Sequence, residues 1–304
     1  MTADSRITLA KQSLVGISIG DAFGESFFGD TTNTLAAIRA RRVPTGSWEF
    51  TDDTVMAIAV YKQLQRNGNI DPLELAKAFA DNHRRDPNRG YGATVRRILR
   101  AIAAGEDWQR LARDVFSGMG SMGNGAAMRV GPIGAYHFDD IARVKELATE
   151  SAEVTHTNIE GVAGAIAVAM STALATRVKQ RQQSIKPNEF IEQVAEALPA
   201  TDTRSKIRKA LHVPYSYRID TVRTILGNGS QMLAQDTVPF AVWCAAHHLT
   251  SFEEALWKAV SILGDRDTIC AIVGGITVMS SDEDQIPKEW QNAAEKVEES
   301  EFMK

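Results

Sequence analysis

Apolar residues in this chain recur at the spacing of helix turns and almost nowhere alternate as a strand requires, which fixes the class of fold open to it. Asp71-Pro72-Leu73-Glu74 reads as a helix start, with an N-cap acid, a proline at the first helical position and a glutamate behind it. Leu75, Ala76, Phe79 and Ala80 follow on one face. Ser251-Phe252-Glu253-Glu254 has the spacing of a capping box, backed by Ala255, Leu256, Ala259, Val260 and Leu263. Ile141, Val144, Leu147, Ala148, Ser151 and Ala152 mark another helix, begun by Asp139 or Asp140. From Gly161 to Ala175 nearly every residue is small and apolar, as suits a central helix buried on most sides. Alternating Val/Ile/Thr/Tyr runs are missing, and Asn124-Gly125 and Asn228-Gly229 fall in glycine-rich loops instead of hairpins. The expectation is an all-α body of many helices with functional loops between them. No internal repeat or boundary divides it, so residues 1–304 are read as one domain.

Three segments are expected to be more mobile. Residues 177–190 are polar and basic, and Ala200 to Tyr217 is charged between Pro199 and Pro214. The acidic tail from Ser280 is expected to fray beyond one last short helix. With a net charge of −4 and pI near 5.9, nothing points to nucleic-acid or membrane-surface binding. Cys244 and Cys270 lie in apolar helical patterns, as small buried hydrophobes of a reducing compartment do. No secretory leader pattern and no uninterrupted membrane-length apolar stretch is seen, which makes the cytoplasm the default location.

Two acidic clusters carry the chemistry. Thr51-Asp52-Asp53-Thr54 and Asp265-Arg266-Asp267-Thr268 each open directly into an apolar segment. A helix N-terminus favours a carboxylate by only about 0.3–1 kcal/mol, and carboxylates brought together raise one another's pKa. If the fold joins the clusters, four carboxylates share one site, and two divalent ions would neutralise them. Adjacent helical residues point about 100° apart, so Asp52 and Asp53 can reach two ions, or one can bind metal while the other orients a water. Asp265 and Asp267 can turn the same way while Arg266 turns outward. Thr51 and Thr268 add neutral oxygens, and an all-oxygen set suits Mg²⁺ or Mn²⁺ better than zinc. Either cluster alone also reads as an ordinary N-cap; two doubly acidic ones favour the metal.

Gly118 to Arg129 is rich in glycine, which lets backbone approach a ligand and exposes N–H groups to an anion. With Ala126 onward expected to be helical, the arrangement suits a phosphate, although no Gly-Lys-Ser/Thr of a P-loop follows and a plain flexible loop has the same composition. His156 lies just past a helix end, where a lone histidine more often satisfies carbonyls. Gly20-Asp21-Ala22-Phe23-Gly24-Glu25 forms a first loop in which either acid could serve a site.

Taken in order, Gly20–Gly24, Thr51–Thr54, Gly123–Arg129, Thr155-His156 and Gly264–Thr268 resemble the ADP-ribosylglycohydrolase family from about residue 12 to 279. The resemblance implies an orthogonal multi-helix bundle with a binuclear Mg²⁺ or Mn²⁺ centre in a central cleft. Its ligands would be Thr51, Asp52, Asp53, Asp265, Asp267 and Thr268. Gly123, Asn124 and Gly125, with His156 nearby, would receive ADP-ribose. The implied reaction is hydrolysis at the anomeric carbon of ADP-ribose joined to a protein side chain, arginine first and serine or a small ADP-ribosyl metabolite as alternatives. A non-catalytic, crystallin-like ADP-ribose binder and a metal-dependent phosphohydrolase are competing readings. Two positions depart from the family. Phe28 stands where many members have glutamate, leaving Glu25, Asp52 or Asp53 as acid/base. Arg266 stands where many have threonine, and is expected to face solvent rather than a substrate phosphate.

Overall fold

The computed structural model describes residues 1–29, 31–281 and 286–304. Sixteen α-helices run through the described residues. The first eight are α1 (Ala3–Glu25), α2 (Thr31–Arg39), α3 (Asp52–Asn67), α4 (Pro72–Arg85), α5 (Ala93–Ala103), α6 (Trp108–Arg113), α7 (Gly131–Tyr136) and α8 (Ile141–Glu153). Then come α9 (Ile159–Gln180), α10 (Pro187–Glu196), α11 (Asp202–Ala210), α12 (Ile219–Leu226), α13 (Ala234–His247), α14 (Phe252–Val260), α15 (Arg266–Thr277) and α16 (Lys288–Ala293). No strand forms among the described residues; the expected all-α class is what the chain adopts.

Local chemistry sets the helix starts. Asp71 accepts hydrogen bonds from the N–H groups of Leu73 (2.9 Å) and Glu74 (3.1 Å). Asp140, not Asp139, caps α8 by accepting from Arg143 N (3.0 Å), which leaves Asp139 to pair with Arg6. Ser251 accepts from Glu254 N, but Glu254 does not complete the capping box, because its carboxylate is taken by Arg41.

The apolar stretch from Gly161 becomes α9, packed against α7, α8 and α13. Among the described residues it is the one helix long and apolar enough, by length and composition, to cross a membrane, and 83% of its apolar window is buried inside the protein. It is the core helix the sequence called for.

The closest pairing is that of α1 with α15. Gly16, Gly20 and Gly24 follow one another at four-residue spacing along α1. A Cβ on Gly20 would lie 2.1 Å from the Cys270 carbonyl oxygen, and one on Gly24 would lie 2.3 Å from that of Arg266. Only glycine lets the two backbones touch, and this contact sets where the acids of both helices stand.

The segments expected to be mobile are partly helical, with 181–186 outside any helix. α9 continues to Gln180 and α10 begins at Pro187, while α11 occupies the middle of the charged stretch after Ala200. The tail is docked, with Trp290, Val297 and Phe302 all buried. Trp290 stacks on Phe23 (4.4 Å between centroids) beside Trp48 and Trp257. The tail residues 282–285 lie outside the described residues.

Candidate functional site: an acidic centre beside a glycine-rich turn

The two acidic clusters, more than two hundred residues apart in sequence, meet between the N-termini of α3 and α15: Thr268 Oγ1 donates to Asp53 Oδ2 at 3.4 Å. Asp21 holds the α3 cluster in place. It lies inside α1, not in a loop as the sequence suggested, and is fully buried. Its carboxylate accepts from the backbone N–H of Thr51 (2.9 Å) and Thr54 (3.1 Å) and from their hydroxyls (2.9 and 2.6 Å). Thr51 Oγ1 also stands 3.2 Å from Asp53 Oδ2. Asp52 is fixed through its backbone, donating N–H to the Arg89 carbonyl at 2.6 Å. On the other cluster, Asp265 accepts from the side-chain amide of Asn124, which also donates to Thr237 Oγ1 at 3.0 Å.

These acids are electrostatically frustrated. Burial, followed by neighbouring carboxylates, pushes Asp52, Asp53 and Asp265 well above the ordinary carboxylate range. Asp21 rises to about 7, with burial again the first cause and the charge of Asp267 adding to it. None of them has an ion pair among the described residues. Asp53 Oδ1 and Asp267 Oδ1 are buried without a hydrogen-bond partner among the described residues. Such atoms are costly unless something positive meets them, and carboxylate and hydroxyl oxygens are a hard-cation donor set.

No group of three or more Asp, Glu, His or Cys side chains among the described residues is gathered closely enough to enclose one ion.

The glycine-rich segment differs from expectation. Asn124–Ala126 is a single 3₁₀ turn, and the next α-helix starts only at Gly131, so no helix N-terminus faces a ligand from Ala126. Two of its N–H groups are already used, Gly123 N by Ser121 Oγ (3.2 Å) and Asn124 N by the Met232 carbonyl (3.1 Å). His156 is buried against this turn. A Cβ on Gly123 would lie 3.1 Å from its Nε2, and one on Gly125 would lie 3.4 Å away. Burial, and then the charge of Arg129, depress its pKa to about 3, so the ring stays neutral.

Arg129, which closes the glycine-rich landmark but was given no role in the sequence, is fully buried. It donates to Ser151 O (2.5 Å), Thr155 Oγ1 (3.0 Å) and Gly125 O (3.2 Å), and its guanidinium covers the Phe79 ring at 4.6 Å.

At the rim stand Glu25, Phe28 and Arg266. Arg266 does not extend freely into solvent. Its guanidinium lies 4.3 Å from the Phe28 ring centroid, and its Nε is buried without a partner among the described residues. Glu25 is exposed and makes no direct bond to the acid clusters, yet partial desolvation and the nearby Asp267 raise its pKa.

The ADP-ribosylglycohydrolase family profile matches residues 2–303. The chain is 29% identical to chicken (Gallus gallus) ADP-ribosylhydrolase ARH3, covering 95% of this chain and 90% of that protein. It is 23% identical to ADP-ribosylarginine hydrolase Tri1 of Pseudomonas putida, over 95% of this chain and 75% of that one. Its backbone superposes on a solved ADP-ribosylglycohydrolase-related protein complex with a TM-score of 0.68 at 23% identity, over 95% of this chain and 93% of that one. Acid clusters joined through α1, a glycine turn on a buried histidine and a profile match along almost the whole chain lead to one conclusion: the protein belongs to the ADP-ribosylglycohydrolase family, hydrolases of ADP-ribosyl bonds.

Proposed function

We propose that the protein removes ADP-ribose from modified protein side chains in a reaction that depends on two divalent cations, Mg²⁺ or Mn²⁺. The observation that carries this reading is the meeting of the clusters at Asp53 and Thr268, with orphaned carboxylate oxygens on both sides. Thr51, Asp52, Asp53, Asp265, Asp267 and Thr268 would hold the cations. Cations bound there supply charge neutralisation and polarise ribose hydroxyls and water.

The chain's own groups do the rest. Asp52 or Asp53 orients the attacking water and accepts its proton as its oxygen joins the anomeric carbon. The electron pair of the broken glycosidic bond leaves with the acceptor. Glu25, whose elevated pKa favours the protonated acid, stands at the rim where an acceptor atom can receive a proton. Gly123, Asn124, Gly125 and His156 form the wall against which ADP-ribose rests.

Arginine is the acceptor we assign first, supported by the arginine-directed activity in the name of the Pseudomonas relative. Serine is the second reading. The Arg266 guanidinium beside Asp267 favours it, because an arginine acceptor brings like charge to that rim.

Release of ADP-ribose from arginine- and serine-modified proteins, with Mg²⁺ and after chelation, tests the proposal. Release should stop on chelation and return with the metal. Asp53→Asn and Asp267→Asn should each lower kcat about hundredfold or more while ADP-ribose binding partly survives. Binding without release from either substrate would favour the non-catalytic reading.

A further inference from the structure

A histidine at a ligand wall is useful only if its proton sits on the correct nitrogen. His156 has one ring nitrogen with a partner in the chain: Nδ1 lies 2.7 Å from Thr155 Oγ1, while Nε2 faces the glycine turn without a partner among the described residues. The hydroxyl–imidazole pair can be drawn in two directions. With Nδ1 protonated, the ring would present a bare acceptor at Nε2; with Thr155 donating, it presents an N–H.

The choice is settled one residue further back. Arg129 has donors only, and its Nη2 donates to Thr155 Oγ1 at 3.0 Å. That hydroxyl therefore accepts from Arg129, and the proton it has left must go elsewhere. Thr155 is fully buried, and its Oγ1 has two hydrogen-bond partners among the described residues, Arg129 and His156 Nδ1. A proton on Nδ1 would leave the hydroxyl's own proton buried and unpaired, which costs about 1–3 kcal/mol.

Arg129 cannot turn away. Bonds to Ser151 O and Gly125 O and the face of Phe79 hold it, and the Gly125 bond ties it to the same turn that Nε2 faces. Its buried charge also opposes a second proton on the ring.

We propose that Arg129 and Thr155 are positioning residues that fix His156 as the Nε2–H tautomer, making it a hydrogen-bond donor to a ligand oxygen, phosphate or ribose, at the Gly123–Gly125 turn. The tautomer rests on this geometry alone; the identity of the ligand rests on the function proposed above. Such a donor selects an oxygen acceptor at that point of the ligand, where a bare nitrogen would select a donor group instead.

Long-range ¹H–¹⁵N spectra of the full chain at about neutral pH read the tautomer directly. Wild type and Thr155→Ser should show Nε2 protonated and Nδ1 bare. Thr155→Val should show a mixture or the Nδ1–H form and bind ADP-ribose about tenfold more weakly, with Thr155→Ser restoring binding to wild type. A protonated Nδ1 in wild type, or an unchanged tautomer in folded Thr155→Val, overturns the proposal. A shifted tautomer with unchanged ADP-ribose affinity overturns the donor role. Wild type that shows the Nε2–H form yet fails to bind ADP-ribose supports the tautomer and instead refutes the ligand assigned under the proposed function.

Discussion

Asp21 shows how one buried side chain can orient the acids around it. It takes four hydrogen bonds from Thr51 and Thr54, so the first turn of α3 points its own acids at α15. With Asp21, Asp52, Asp53 and Asp265 all raised, the folded state holds these protons more tightly than the unfolded chain does. The cluster's contribution to stability is therefore fullest below the unfolded carboxylate pKa, about 3.9, and is lost as pH rises through the folded values, about 7 for Asp21. Cation-free protein should melt at progressively lower temperature across that window. Added Mg²⁺ should raise Tm more at pH about 8 than at about 5, and Asp53→Asn should flatten the pH slope. At the rim, Arg266→Thr should raise turnover of arginine-linked relative to serine-linked ADP-ribose, measured as the ratio of kcat/KM. The carboxylate clusters were legible in sequence because residue type and spacing are local properties. The roles of Asp21 and Arg129 were not, although both stood in marked segments, because Asp21 works through Thr51 and Thr54 and Arg129 reaches Ser151 and Thr155, all more than twenty residues away.

Among elements, α1 and α15 decide whether the clusters meet. Gly20→Ala would push a methyl into the Cys270 carbonyl and should cost about 1–3 kcal/mol, read by urea unfolding. Hydrolysis should fall with it, as α15 carries Asp267 and Thr268 away from Asp53. The four-residue glycine spacing that permits this contact stood in the sequence, but as Gly20 and Gly24 it looked like loop composition. Helix starts were readable because a cap lies within three residues of what it caps. The exception, Glu254, was lost to Arg41, 213 residues away. The stretch from Ala126 was read as a helix start, whereas Met122–Asn124 just before it is drawn into a bridge with Met232–Ala234 and only a single turn follows.

Across the whole molecule, the tail matters more than its acidic composition suggested. Trp48 pairs by backbone with the segment at Ala293–Glu295. Glu295 and Asp86 grip Arg89, and Phe50 and Phe302 lie 4.8 and 5.5 Å from its guanidinium. Phe302→Ala should cost about 3–5 kcal/mol, seen as a lower denaturation midpoint. A smaller drop in turnover should accompany it, because the Arg89 carbonyl fixes Asp52. Local charge predicted fraying; long-range aromatic docking overrode it.

This strap also has a consequence for how the protein is made. The acidic centre draws on residues from 21 to 302, so a polypeptide leaving the ribosome N-terminus first exposes Asp52 and Asp53 long before the partners that complete their surroundings. Until residue 302 has cleared the exit tunnel, a translating chain holds only fragments of the centre. Competence for chemistry should therefore await the emergence of residue 302.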